Sequence, residues 1–285
     1  MTTPTSTDTG GLCAGLFDDA GLFPPASAKV AQAVAEHARH RVSWYDDLVT
    51  TFSSRDSRLL EVDARAARLG LPTVEVTVVV PGGLGTVTDA LSTLRRCPRL
   101  RLRAVDVALG TGPAAVAERM AGVLAEQDVP LYLEVPAGPS TEAQAHHLRA
   151  LGVRLKLRGG GTSIHSFTPE NQLAPMIVAC AAELLPFKCV TGMSRALRHR
   201  DRESLFQRHG FLNVALATLV AIRTGSEAAV RDTLAERDRH AVAAEIRGLA
   251  PRDVAAVRTV LTRIGSSDIA ESVADLATLG IVPAN

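Results

Sequence analysis

Lysine is nearly absent from this chain: three of its 31 basic residues are lysines and the other 28 are arginines. The four cysteines, Cys13, Cys97, Cys180 and Cys189, show no Cys-x-x-Cys spacing, so neither a zinc site nor a disulfide framework is indicated. No His-x-His or His-x-x-x-His pattern points to a metal, and neither a metal nor a cofactor is expected. No apolar run approaches the roughly 20 residues that span a bilayer. A net charge of +1 argues against nucleic acid or a membrane surface as the main partner. Met1 to Gly10 is Thr/Ser/Gly-rich, with neither a basic start nor an apolar core, and reads as a disordered tail, not a signal peptide. A reduced, cytoplasmic setting is the expectation.

What is present suits one large domain over residues 11–285, with 46% hydrophobic residues and no low-complexity linker. Short Val/Leu-rich runs alternate with Ala-rich helical stretches. Eight runs read as strands: 48–52, 74–80, 102–109, 131–135, 153–157, 187–191, 242–246 and 258–264. Helices are expected at 29–40 and 57–69, from Gly112-Pro113 through Met120, and from Ser140 or Thr141 across His146 and His147. Thr168-Pro169-Glu170 reads as N-cap, first-turn proline and early acid, and Asp268-x-x-Glu271 as a capping box. A further apolar helix is expected from Arg202 to Arg223, folded over the barrel or packed on a second subunit. Buried strands alternating with helices imply a parallel sheet covered by helices, and eight units predict a closed (β/α)8 TIM barrel with a helical insertion after the sixth strand. The open doubly wound alternative lacks its Gly-x-Gly-x-x-Gly fingerprint.

Two of the lysines lie in adjacent predicted strands, Val153-Arg154-Leu155-Lys156-Leu157-Arg158 and Phe187-Lys188-Cys189-Val190-Thr191. A lysine can be shifted to a neutral, nucleophilic amine, whereas arginine stays charged. Alternation turns Lys156, with Arg154 and Arg158, into the barrel, and Lys188 likewise. Strands about 4.8 Å apart bring the amines close enough for one ammonium to depress the other's pKa by about two units. Asp106 and Glu134 are lone carboxylates within apolar strands and need cationic partners. They are candidates for proton transfer, or for a structural ion pair at the barrel centre.

Lys188-Cys189-Val190-Thr191-Gly192 resembles the Schiff-base lysine strand of class I aldolases of the deoxyribose-phosphate aldolase type. In that family the nucleophilic lysine lies on the sixth barrel strand before a Thr-Gly turn. Lys156 is similar to the family's fifth-strand lysine, and Asp106 resembles its strand aspartate. The resemblance implies a lyase in which Lys188 attacks a carbonyl, Lys156 lowers its pKa, and Asp106 or Glu134 moves protons. The family also carries a lysine before Gly-Gly on the seventh strand. The seventh strand expected here, 242–246, has none, so Lys156 or Arg158 takes that electrostatic role. The segments Phe17–Ala26 and His209–Asn213 have no counterpart in the resemblance.

A small anionic carbonyl or phosphorylated compound is the expected ligand, and a homo-oligomer is a plausible assembly. Gly159-Gly160-Gly161 could turn backbone N–H groups toward an anion, with Arg158, Arg195 and Arg198 as a positive rim. Thr191, Asp18, Asp19, His209 and Asn213 are further candidate substrate contacts. Ser266 could hold an anion at the last helix N-terminus, and His165 could also enter the site. His37, His40, His146 and His147 read as surface residues. Two other classes fit the same residues. One is a non-covalent barrel isomerase, decarboxylase or lysine-carbamate metal enzyme, with fixed cations holding an enolate or phosphate. The other is a non-catalytic binder of an anionic metabolite.

Overall fold

The segment Phe17-Asp18-Asp19 is the first strand of a closed parallel barrel. The computed structural model describes residues 10–108, 114–134, 141–160, 167–201 and 205–284. The expected disordered tail up to residue 9, Gly161 and His165 lie outside these residues. The barrel strands are β1 (Phe17–Asp19), β2 (Val49–Arg55), β3 (Val74–Val80), β4 (Leu100–Ala108), β5 (Leu131–Glu134), β6 (Arg154–Arg158), β7 (Phe187–Val190) and β10 (Leu261–Ser266). They close in the order β1-β10-β7-β6-β5-β4-β3-β2, so the predicted TIM barrel is correct. A two-stranded hairpin, β8 (His199–Arg200) and β9 (Gln207–Arg208), follows β7.

Helices form the outer layer. They are α1 (Gly10–Cys13), α2 (Val30–His40), α3 (Leu59–Arg68), α4 (Val87–Leu94), α5 (Ala114–Ala125), α6 (Thr141–Ala150), α7 (Glu170–Ala182), α8 (Phe211–Thr224), α9 (Glu227–Ala235), α10 (Arg239–Arg247), α11 (Pro251–Val260) and α12 (Ile269–Thr278). Leu155 and Leu157 of β6 and Phe187 and Cys189 of β7 are buried on the outward face under this layer. Each large side chain buried this way contributes about 1.5–3 kcal/mol. Phe17 meets the ring of Phe211 edge-on at 5.1 Å, which fastens β1 to α8. No described helix is long and apolar enough to cross a membrane.

Three strand assignments change. Two acids in three residues disguise β1, because aspartate is depleted in strands; pairing with both β10 and β2 makes it one. Residues 242–246 are helical, not a strand. Val242, Ala243 and Ile246 share the buried face of α10, and Asp238 caps it by accepting from His240 N and Ala241 N at 2.8 and 3.2 Å. Residues 258–260 are the last turn of α11, which opens on Pro251, and the strand begins only at Leu261. In addition, the expected 48–52 strand runs on to Arg55.

These shifts renumber the barrel. The strand of Lys156 is the sixth, not the fifth, and that of Lys188 is the seventh, not the sixth. The helical insertion therefore follows the seventh strand. Its main helix begins at Phe211, not Arg202, and is enclosed by α7, α9, α10 and α11 as part of the barrel's own outer layer. Thr168 does not cap α7; Pro169 holds that position and the Thr168 hydroxyl donates to Arg158 O at 2.7 Å.

Candidate active site

Strand alternation gives the barrel interior its polar layer: Asp18 on β1, Thr51, Ser53 and Arg55 on β2, Thr77 on β3, Asp106 on β4, Tyr132 and Glu134 on β5, Lys156 on β6 and Lys188 on β7. Lys156 and Lys188 are register partners on neighbouring strands. Their amines do not simply face each other, because Asp106 serves both. Asp106 Oδ1 lies 2.5 Å from Lys188 Nζ and Oδ2 lies 3.6 Å from Lys156 Nζ. Lys188 Nζ also donates to Asp18 Oδ2 at 3.5 Å and sits 4.5 Å from the centre of the Tyr132 ring. Lys156 Nζ reaches Glu134 Oε2 at 3.1 Å, and Glu134 Oε1 accepts from Arg158 Nε at 2.9 Å. Arg263 approaches Asp18 Oδ1 at 3.8 Å. The result is a chain of alternating charge, Arg263–Asp18–Lys188–Asp106–Lys156–Glu134–Arg158.

A second polar layer orients this chain. Asp18 Oδ1 accepts from Thr51 Oγ1 at 2.8 Å, and Thr51 is bonded to Thr77 at 2.8 Å. The Tyr132 hydroxyl is bonded to Thr262 at 2.9 Å and accepts from Arg154 at 3.2 Å. Lys188 is 1% exposed and Lys156 7%. At an effective dielectric of about 20, each close contact supplies roughly 4–7 kcal/mol of gross attraction, set against a desolvation cost of several kcal/mol per ion. Burial alone would pull the Lys188 ammonium down. Asp106 and then Asp18 outweigh it, so its pKa is raised above the ordinary lysine value. The expected depression of Lys188 by its neighbour is thus reversed, because a carboxylate stands between the amines. Glu134 is pushed up by burial but held below the usual carboxylate range overall by Lys156 and Arg158.

The cluster floors a cavity of about 270 Å3 at the C-terminal mouth of the barrel. Its lining includes Asp18, Asp106, Glu134, Lys156, Arg158, Lys188 and Thr191 from the expected set. Thr191 and Gly192 both have left-handed backbone, φ 63° and 77°. For a β-branched threonine this is a strained conformation, and it turns the chain sharply at the cavity edge.

Several expected contacts lie elsewhere. Asp19 points outward, accepting from Gly21 N at 3.0 Å and meeting His37 Nδ1 at 3.0 Å. His37 is therefore a buried partner of β1, not a surface residue. His209 is buried between loops: its Nε2 contacts Thr168 O at 2.7 Å, its Nδ1 is 3.2 Å from Arg198, and its ring stacks on Phe167. Burial lowers its pKa to about 4. Asn213 accepts from Arg198 N and donates to Thr233 O and Glu236 O, tying the insertion together. Neither Gly159 nor Gly160 has left-handed backbone, so the expected nest, which alternates handedness, is not formed by them. Instead, a Cβ on Gly160 would meet Arg208 Nη1 at 2.7 Å. Ser266 is spent on Ser272 and Asp268, and Asp268 itself caps α12 by accepting from Glu271 N at 2.8 Å. The rim arginines are also engaged: Arg195 with Glu271 and Asp275, and Arg198 with Glu170.

Sequence reasoning missed Tyr132, Thr51, Phe23 and Arg55. The run Ser53-Ser54-Arg55 closing an apolar strand was an available signal for the last of these. Among the described residues no group of histidine, cysteine and acidic side chains is arranged to hold a metal ion.

Fold and site together define a TIM barrel with a lysine–carboxylate cluster at the C-terminal ends of its strands, the end at which barrel enzymes build their active sites. The chain is similar in fold to deoxyribose phosphate aldolase from Aeropyrum pernix, described as a unique tetrameric structure, with a TM-score of 0.51 and 14% identity over 98% of this chain and 100% of that one. No family model matches the sequence, and no curated protein matches it.

Proposed function

We propose that this chain is a lyase of the Schiff-base aldolase type, acting on a small anionic carbonyl compound, with Lys156 as the nucleophile and Lys188 as the fixed cation beside it. The observation that carries the reading is the Lys156–Asp106–Lys188 cluster on the cavity floor. The two lysines exchange the roles the sequence suggested. In the resembling family the nucleophile belongs to the sixth strand and its perturbing lysine to the seventh, which are the strands of Lys156 and Lys188. The lysine that the seventh strand had seemed to lack is Lys188. Accessibility points the same way, since Lys188 is clamped by Asp106 and Asp18 over Tyr132.

The chemistry follows from the contacts. Lys156 gives a proton to Asp106 or Glu134, whose carboxylate oxygens lie 3.6 and 3.1 Å from its amine. The amine lone pair attacks the carbonyl carbon, and the displaced π pair becomes the carbinolamine oxygen, which takes a proton from the acid. Loss of water leaves the protonated imine, an electron sink for breaking or forming the adjacent C–C bond. Lys188, kept charged by Asp106 and Asp18, stabilises developing negative charge.

That same charged state favours a second reading, in which both lysines act as non-covalent cations for an enolate, as in an isomerase or decarboxylase. Borohydride reduction with short aldehydes and ketones, read by intact mass and peptide mapping, separates the two. A secondary-amine adduct on Lys156 that Lys156→Met abolishes supports the first. An adduct mapped to Lys188 returns the nucleophile to that residue, and no adduct with any carbonyl leaves the non-covalent reading. A homo-oligomer is proposed by analogy with the tetrameric aldolase, and sedimentation of the purified chain tests it.

A further inference from the structure

Arg55 ends β2 on the same inward face as Thr51 and Ser53 and lines the cavity mouth. Three strands separate β2 from β6 in either direction around the ring, so Arg55 stands across the mouth from Lys156. Eight strands about 4.8 Å apart and tilted about 36° close a circle roughly 15 Å across, so inward-reaching side chains from opposite strands leave room for a short ligand between them.

Its environment differs from that of the arginines engaged in ion pairs. Arg158, Arg195, Arg198 and Arg263 each face a carboxylate. Arg55 has no carboxylate partner among the described residues. Its guanidinium lies instead over the ring of Phe23, 5.8 Å from the centroid. The ring face attracts the cation without using its N–H donors, and a guanidinium's N–H fork recognises an oxyanion through paired hydrogen bonds. Of the charged residues lining the cavity, Asp18, Asp106, Glu134, Lys156, Lys188 and Arg158 all belong to the alternating chain, and Arg55 stands outside it.

Barrels often hold phosphate at the helix that follows the last strand. Here Asp268 occupies the α12 N-terminus and Ser266 has no free hydrogen-bonding capacity toward the cavity. We infer that Arg55, stacked on Phe23, anchors the anionic group of the ligand, and that it selects carbonyl compounds carrying a phosphate or carboxylate at the end remote from the reacting carbon. This rests on the reading of Lys156 as the group facing the carbonyl. Arg55 and Lys156 then hold the two ends of one small molecule, and ligand length is set by the width of the mouth.

The test uses equilibrium binding that does not require an imine. Calorimetric titration with glycerol 3-phosphate, glycerate and glycerol compares wild type, Arg55→Gln, Arg55→Lys and Arg158→Gln. The expected result is binding of at least one of the two anions by wild type, weaker by at least tenfold in Arg55→Gln and partly retained in Arg55→Lys. The loss in Arg158→Gln is expected to be under threefold, because that guanidinium already serves Glu134. Which anion binds identifies phosphate or carboxylate as the recognised group. Binding of neither anion by wild type, or equal affinity in Arg55→Gln, overturns the inference. Borohydride trapping with glyceraldehyde and its 3-phosphate adds a second readout, in which Arg55→Gln lowers the preference for the phosphorylated aldehyde at least tenfold. Anion binding that depends on Arg55 without any trapped adduct sinks the Schiff-base reading alone. Trapping with an unchanged preference sinks the anchor alone.

Discussion

Lys156 and Lys188 are register partners on adjacent strands, yet one carboxylate, Asp106, sets an oxygen against each amine, at 3.6 and 2.5 Å. The cluster is therefore held together by attraction, and its energetics are those of a buried ion network, not of two repelling ammonium groups.

Removing one member should cost more than removing a matched pair. Lys188→Met leaves Asp106 and Asp18 buried with fewer cations and is expected to lower unfolding free energy by about 3 kcal/mol. The double variant Lys188→Met, Asp106→Leu should recover at least half of that in urea denaturation. Additive losses would show that the two residues are not energetically coupled.

His209 should make the fold acid-sensitive above the carboxylate range. Its pKa is lowered to about 4 in the folded chain, against about 6.5 unfolded. The unfolded chain binds the proton first, so stability is fully present above pH 6.5 and is lost as pH falls from there toward 4. A shift of that size corresponds to roughly 3 kcal/mol. Urea midpoints between pH 7.5 and 4.5 should fall in wild type and fall distinctly less in His209→Asn.

Arg158 and Lys156 together hold Glu134 acidic. In Arg158→Gln the Glu134 carboxyl should titrate at a higher pH than in wild type, read by carbon NMR of the side chain. Because its folded pKa is depressed, its contribution to stability is present above the unfolded value and lost as pH falls through the folded one. The variant should lose its smaller contribution at a higher pH. An unmoved midpoint would mean that Lys156 alone sets the acidity.

Two glycines near the mouth should respond differently to alanine. At Gly210 a Cβ would lie 2.4 Å from backbone atoms of Ala196 and Leu197, which cannot yield. At Gly159 the nearest atom is the terminal methyl of Met193, 2.3 Å away on a flexible side chain. Gly210→Ala is expected to cost over about 3 kcal/mol or prevent folding, and Gly159→Ala under about 1.5 kcal/mol. Thermal unfolding of both variants checks the contrast.

Much of the architecture was legible because periodicity is a local property. The runs around Val76, Val105, Leu133, Leu155 and Cys189 alternate or stay apolar over a strand's length, and the helix starting near Val30 keeps its buried stripe. The same locality explains the errors. Phe17-Asp18-Asp19 is a strand only because two neighbouring strands pair with it, and nothing within three residues records that. Val242–Ile246 is apolar enough for either structure, and Asp238, three positions upstream of Ala241, was the cap that decided it. Charged strand residues were likewise readable as inward-facing. Whether Asp19, His209 or Ser266 reached the cavity depended on partners distant in sequence.

The sequence by itself determined that two rare lysines and two isolated acids lie on the inner face of a parallel barrel, because alternation fixes facing and a helix-covered sheet leaves charge nowhere else to go. The tertiary structure alone decided which strand is sixth and which is seventh, since strand order emerges from ring closure. It also decided which charges cancel. Asp106, Asp18 and Glu134 meet their cations at 2.5 to 3.6 Å, and that three-dimensional pairing leaves Arg55 without a carboxylate partner among the described residues.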